Sequence, residues 1–295
     1  MDNFWIEHRY TTCNYRLPYH YEKAYQVIFL LAGKIQYQVN DKEYIVEKGG
    51  LIVLNTLEDH TLKVLEYPYE RYIIQIRPEF FQQEVKYPEV IAVFIKRPPD
   101  FSHLLTVSGQ AWDYLYGILQ EMEAEYLARK SYWELIVGAN LRRMFIALFR
   151  ECPALSMMRV GSGTAVAYNT MNYLDRHFTE DITVESVAAA MFLNKDYLSH
   201  VFKDETGYTV IGYVISLRIN RAKVLLAESD QSITDIAAAC GYTDFSYFSR
   251  LFKKHAKASP SEFRKNSARQ KEEFQKGGIS EKGVRSHDVT RKVSL

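Results

Sequence analysis

The feature that most constrains this chain is a duplication. Tyr197, Ser199, Phe202 and Lys203 recur fifty residues later as Tyr247, Ser249, Phe252 and Lys253. An Ala-rich stretch precedes each set, VESVAAAM at 184–191 and ITDIAAAC at 233–240, the two one position out of phase. The repeated unit reads as a short helix whose alanines permit close approach, a tight turn, and a second helix crossing the first. In the second copy Phe245, Phe248, Leu251 and Phe252 share one helical face, while Ser246, Ser249, Arg250 and Lys253 share another. Gly241 suits the turn of that copy. Phe192 takes the same place in the first, so that turn is expected to avoid positive φ.

Helix-start signals run through the whole region, at Thr183, Asn194, Ser232, Thr243 or Asp244, and Ser259. The last is complete, since Ser259-Pro260-Ser261-Glu262 supplies an N-cap, a proline at the first helical position and a glutamate to close a capping box. About seven helices are expected between 164 and 263. The one over 211–229 links the two copies and would span about 28 Å, near the ~34 Å that separates successive major grooves on one face of DNA.

The first part of the chain has a different period. From 4 to 77, runs of five to eight β-branched and aromatic residues are broken by Gly, Asn-Asp and Pro, the pattern of a closed or sandwiched antiparallel sheet. Beyond about 109, Trp112, Leu115, Leu119, Met122 and Tyr126, then Trp133, Val137, Asn140 and Met144, are spaced three and four apart. They predict two amphipathic helices joined near 129–131, packed on the sheet or on a second copy of the chain. A small-residue cluster at 152–164 marks a boundary, and beyond 266 the polar, aperiodic sequence is expected to form a loose tail. The expected organisation is 1–100 sheet domain, 101–152 helical dimerisation segment, 153–164 linker, 165–266 helical domain and 267–295 tail.

At 295 residues and 47% hydrophobic, the chain has material for two cores. Its apolar runs are too short to span a bilayer and its start lacks a signal-peptide pattern, so a cytoplasmic location is expected with no membrane partner. Cys13, Cys152 and Cys240 are too few and too scattered for a disulfide framework or a zinc cluster. The formal net charge is +1. Residues 164–265 carry 12 Lys and Arg against 12 Asp and Glu, so nucleic-acid binding would rest on where the cations sit.

A helix-turn-helix unit can place its second helix in the DNA major groove, small polar and cationic side chains meeting base edges and lysines meeting phosphates. The candidate base readers are Lys195, Asp196, Ser199 and His200 in the first copy and Ser246, Tyr247, Ser249 and Arg250 in the second. Arg250 leads, because a guanidinium bonds bidentately to guanine. Lys203, Lys253 and Lys254 are the candidate phosphate contacts.

The segment SITDIAAACGYTDFSYFSRLFKKHAKASPSEFRK at 232–265, with YLSHVFKDETG at 197–207 and RINRAKVLL at 218–226, resembles the AraC/XylS family of transcription regulators. Lys257 stands where the family usually has glycine, and His200 where arginine is common. PYHYEKAYQVIFLLAGKIQYQVNDKEYIVEKGGLIVLN at 18–55 resembles that family's cupin-like sensor. The resemblance implies an α+β chain: an N-terminal antiparallel β-barrel, a helical dimerisation segment through Trp112, Leu115, Leu119, Met122 and Tyr126, and an all-α C-terminal domain with two helix-turn-helix motifs. It implies a double-stranded DNA operator, a homodimer, RNA polymerase as a further candidate partner, and a small-molecule effector, a sugar or related metabolite, inside the barrel.

Arg16, Tyr19, His20, Glu22, Tyr25, Tyr37, His60, Tyr72 and Gln75 are the candidate effector contacts, supplying aromatic platforms and hydrogen bonds for a polyol. Tyrosines with satisfied hydroxyls in the core fit most of these positions equally well. His20, Glu22 and His60 also suggest the metal site of a cupin enzyme. That set is one ligand short, so neither a metal, a cofactor nor a catalytic residue is expected.

Overall fold

The computed structural model describes residues 3–12, 24–97, 101–156 and 161–276. Strands β1 (Phe4–Thr11), β2 (Tyr25–Val39), β3 (Lys42–Val46), β4 (Gly50–Leu54), β5 (His60–Ile76) and β6 (Leu104–Thr106) form one antiparallel sheet, ordered β1-β5-β2-β4-β6 with β3 paired to β2. The Asn40-Asp41 break makes the β2–β3 hairpin, Asn40 taking a φ of 51°. The described strands leave an open path where the sequence suggested closure: β1 and β6 end it, and three-residue β6 is too short to return to β1.

The two long strands, β2 and β5, bend where their register shifts between Leu30 and Ile35. Gly33 sits in that bend at φ 88°, and a Cβ there would lie 2.3 Å from the Pro68 carbonyl oxygen. The bend has a consequence for side-chain direction. Before it, odd-numbered Tyr25, Val27 and Phe29 face the helices and even-numbered Ile28 and Leu30 face away; after it, Ile35, Tyr37 and Val39 face away. The unpaired residue of a bulge exchanges the faces.

Helices α1 (Pro78–Glu84), α2 (Pro88–Ile95), α3 (Gly109–Ala128), α4 (Trp133–Glu151) and short α5 (Pro153–Ser156) cover one face. Tyr25, Phe81, Phe94 and Phe145 interlock there, Tyr25 stacking on Phe94 at 4.2 Å. The 3-4 spaced residues of α3 and α4 are used inside the protomer. Leu115, Leu119 and Met122 are buried against α4 and the sheet, Trp112 stacks on Phe29 at 4.6 Å, and Tyr126 meets Phe4 and Trp133 edge-on. Each such buried side chain contributes about 1.5–3 kcal/mol. These five residues therefore do not form the helical segment's outer surface.

The rest is helical: α6 (Ser162–His177), α7 (Val184–Ala190), α8 (Lys195–Thr206), α9 (Val210–Glu228), α10 (Ile233–Ala239), α11 (Phe245–Ala256) and α12 (Pro260–Lys276). The expected tail starts late, because α12 runs on through 267–276. The buried cluster of the sheet domain continues through α2 into α6, α7 and α8 and ends at Leu217 of α9. A separate cluster, from Ile219 to Phe252, holds α10 and α11 against the second half of α9. No helix of the described residues is long and apolar enough to cross a membrane. Cys152 and Cys240 are buried and form no disulfide among the described residues, and Cys13 lies outside them.

Candidate functional site

Both copies of the repeat fold as pairs of packed helices, each helix opened by its own cap. Thr183 and Ser186 form a reciprocal capping box on α7, and Asn194 Oδ1 accepts from the Asp196 and Tyr197 amides on α8. Ser232 accepts from Asp235 on α10, and Asp244 Oδ1 accepts from Ser246 and Tyr247 on α11. Ser259 and Glu262 open α12 with the predicted box. Thr209, which caps α9 through the Gly212 amide, was missed because Thr209 precedes a plain apolar run with no acidic residue behind it.

The two turns differ chemically. Gly241 has φ 83° and sits so close to Thr179 that a Cβ would lie 2.5 Å from its carbonyl oxygen, so this turn demands glycine. Phe192, contrary to expectation, also takes a left-handed conformation, φ 56°. Its side chain is 95% exposed. The strain is local, and the Leu193 amide bonded to the Ala188 carbonyl closes the helix end.

The second helices show the faces the sequence assigned. Phe248 and Phe252 are buried on α11 and Leu198 and Phe202 on α8, whereas Phe245 is partly exposed at the helix start. On α8, Lys195, Asp196, Ser199, His200 and Lys203 are exposed; on α11, Ser246, Tyr247, Arg250, Lys253 and Lys254 are exposed and Ser249 is half-buried. Lys195 is engaged within the protein by Glu185 of α7, 3.2 Å away. No ion pair among the described residues engages Lys203, Arg250, Lys253 or Lys254. Burial, then Lys254, Lys223 and Lys257, hold the His255 imidazole below its usual pKa despite Asp59, so His255 is neutral at pH 7 and adds no charge to the α11 face. Linking the copies, α9 has 19 residues, about 28 Å of helix.

The candidate effector residues divide between the two faces of the sheet. Tyr37 and His60 lie on the face turned from the helices, their rings stacked at 5.7 Å, and His60 Nδ1 lies 3.1 Å from the Glu58 carbonyl. Gln75 pairs across from Gln26 in the β2–β5 register and shares that face by strand alternation. Tyr25 and Tyr72 point the other way, Tyr25 into the aromatic core and Tyr72 donating to Glu123 at 2.9 Å. Burial, then Glu123, push the Tyr72 phenol far up its range. They are core tyrosines, because the bulge after Leu30 puts Tyr25 and Tyr37 on opposite faces despite their even spacing. Arg16, Tyr19, His20 and Glu22 lie outside the described residues.

Two polar residues on the His60 face were missed. Gln26 is buried with its Oε1 unpartnered among the described residues, and buried Arg71 lies over the Tyr69 ring at 4.0 Å while donating to Thr11. Their positions inside strongly apolar and aromatic runs hid them. Next to His60, Glu58 is buried in a charged cluster. Arg97 donates to it through two nitrogens, His103 Nε2 lies 2.8 Å from it, and His103 Nδ1 lies 2.9 Å from the Tyr44 hydroxyl. Burial alone would raise its pKa, but Arg97 and His103 outweigh that and hold it at about 2. Among the described residues, no group of three His, Cys, Asp or Glu side chains is placed to hold a metal ion.

Comparison with known proteins follows the same division. Residues 5–130 match the AraC-like ligand binding domain and residues 187–266 match the Helix-turn-helix domain. The chain is 33% identical over 127 residues to the uncharacterized HTH-type transcriptional regulator YijO of Escherichia coli K12, covering 42% of this chain and 45% of that protein. It is 34% identical over 127 residues to the HTH-type transcriptional activator RhaS of Citrobacter koseri, covering 43% and 46% respectively. The chain thus spans less than half the length of these curated relatives. Among solved structures, ToxT from Vibrio cholerae, bound to an unsaturated fatty acid, aligns with a TM-score of 0.56 at 15% identity over 88% of this chain and 94% of that one. That is a likeness of fold.

Proposed function

We propose, on the premise that this chain belongs to the AraC family of transcription regulators, that it binds operator DNA through both helix-turn-helix units under the control of a small-molecule effector. The observation that carries the reading is the pair of capped, outward-facing helices α8 and α11, whose Arg250, Lys203, Lys253 and Lys254 have no ion-pair partner among the described residues. Arg250 reads a guanine, Ser246, Tyr247 and Ser249 line the same groove, and the three lysines meet phosphates. Asp196, Ser199 and His200 do the reading for α8. Lys195, restrained by Glu185, makes a weaker contribution there.

The effector side of the proposal centres on the sheet face that carries Tyr37, His60, Gln26 and Gln75. Stacked rings and two side-chain amides on one face suit a sugar or related polyhydroxy metabolite, whose C–H faces pack on aromatic rings while its hydroxyls bond to amides. ToxT's fatty acid is the competing chemistry, and the buried polar atoms on this face disfavour a purely apolar chain.

Dimerisation is assigned to the outer surface of α3 and α4, where Tyr114, Leu127, Leu135, Ile136 and Ile146 are exposed. Two copies would raise a modest single-copy DNA affinity through effective concentration. RNA polymerase is the further partner that a DNA-bound regulator would contact, and the cytoplasm is where operator, polymerase and regulator meet. No catalytic role is proposed. Selection of bound fragments from random DNA, with and without candidate sugars, tests the function: enrichment of one motif that changes occupancy with a sugar is expected, and recovery of unselected sequence overturns it.

A further inference from the structure

The two reading units of one chain touch each other. The turn of the second, at Gly241, sits against the loop that joins α6 to α7, where a Cβ on Gly241 would lie 2.5 Å from the Thr179 carbonyl oxygen. Arg218, on the helix that follows the first unit, binds this junction. Its Nε donates to the Phe178 carbonyl and its Nη2 to the Glu180 carbonyl, both at 2.6 Å, and its guanidinium lies over the Tyr242 ring at 5.3 Å. The contact is thus made of a loop, an arginine on the loop's carbonyls and an aromatic from the turn of the next unit.

The repeat presents the same parts again at the two ends of the pair. Past the second unit, the α9–α10 loop (229–231) is the counterpart of the α6–α7 loop, and Arg264 on α12 is the counterpart of Arg218, its Nη2 donating to the Gln231 carbonyl at 2.6 Å. At the other end, the turn of the first unit carries Phe192, 95% exposed. A single exposed ring is ordinary. This one stands at a left-handed φ of 56°, in the position that faces a neighbouring unit in the second copy of the repeat. Where Gly241 lets backbone meet backbone, Phe192 holds a neighbouring loop off by the thickness of a ring.

Charge favours bringing the two ends together. Over 182–215 the first unit carries two Lys against four Asp and Glu, and over 232–265 the second carries six Lys and Arg against three Asp and Glu, net charges of −2 and +3. Glu205 answers Lys96 at 3.1 Å, yet Asp196 and Asp204 stay exposed. The first unit of one copy is therefore attracted to the second unit of another.

We infer that two copies of this chain, bound in tandem on DNA, touch head to tail, the Phe192 ring of one lying over Arg264 and the 229–231 loop of the other. Resting on the DNA-binding function proposed above, the contact continues between chains the unit-to-unit row that each chain builds within itself. It is heterologous, joining two different patches, and it uses neither α3 nor α4. A ring must meet a guanidinium, so the contact acts only at one spacing of the two copies.

The test uses the full chain and two selected sites in direct repeat. In one DNA the α11 groove of the first copy and the α8 groove of the next lie about 10 base pairs apart; in the other about 10 more are inserted, which keeps both copies on one face and parts their ends. The wild type is expected to bind the close pair about tenfold more tightly by fluorescence anisotropy. Phe192→Gly, whose glycine suits the turn, and Arg264→Gln, which keeps a donor for the Gln231 carbonyl, are expected to bind both spacings alike with single-site affinity unchanged. A wild type indifferent to spacing, or either variant retaining the preference, overturns the contact. So does a Phe192→Gly protein weakened at a single site, which would put the ring on DNA instead. Failure of the wild type to select even a single site would sink the DNA-binding function itself, a result readily told apart from a missing spacing preference on well-bound single sites.

Discussion

Arg250 and Lys253 are neighbours on one exposed helix face, yet their proposed roles separate cleanly in measurement. Arg250→Ala is expected to relax preference at one base position, at about 1–3 kcal/mol for the preferred base, while Lys253→Ala weakens all sequences alike and lowers the salt slope by about 1. Binding isotherms over a salt series decide it, and equal behaviour of the two variants contradicts the assignment. Glu58 gives a prediction from pH. Its carboxyl is depressed from 4.5 to about 2, so the stability it contributes is fully present above pH 4.5 and is lost as pH falls toward 2, about 3 kcal/mol in all. Denaturation midpoints at pH 7, 4 and 3 are expected to fall more steeply in the wild type than in Glu58→Gln. At this scale the exposed faces of α8 and α11 were legible, because a helix of known start fixes its own faces. The facing of the candidate effector residues was not: Tyr25 and Tyr37 are twelve apart, and only the bulge between them reveals that they face opposite ways.

Element starts were written in the sequence, through Thr183, Asn194, Ser232, Asp244 and Ser259, since each cap is a local bond between a side chain and an amide two or three residues away. Element ends were less so. Gly207 and Lys257 occupy equivalent positions after α8 and α11, and both are left-handed, at φ 76° and 57°. Lysine there is strained where glycine is free, so Lys257→Gly is expected to stabilise the protein by about 1 kcal/mol in chemical denaturation, with no change in the α11 contacts. A destabilised variant would show that the lysine side chain contributes more than its backbone strain costs. The 3-4 spacing of α3 and α4 posed a different ambiguity. It declares an apolar seam and leaves the partner open, and the sheet with its own aromatic layer, Phe29 and Phe4 included, supplies that partner within the protomer. The surface assigned to dimerisation is instead the face carrying Leu135, Ile136 and Ile146, which a sedimentation comparison with Ile136→Glu addresses: the variant should shift toward monomer.

For the whole molecule, the proposed function requires two reading helices on one chain to serve neighbouring grooves, joined by a spine, α9, that also touches the sheet domain through Lys223 and Asp59. The duplication announced the two helix pairs and the helical period announced α9 between them. The docking of that spine at Asp59 was not legible, because its partners lie 164 residues apart and neither carries a local signature. Hydroxyl-radical footprinting of one protomer on its selected DNA tests the central claim most directly. Two protected patches on the same face of the duplex, about 10 base pairs apart, are expected; a single patch, or two on opposite faces, would contradict it.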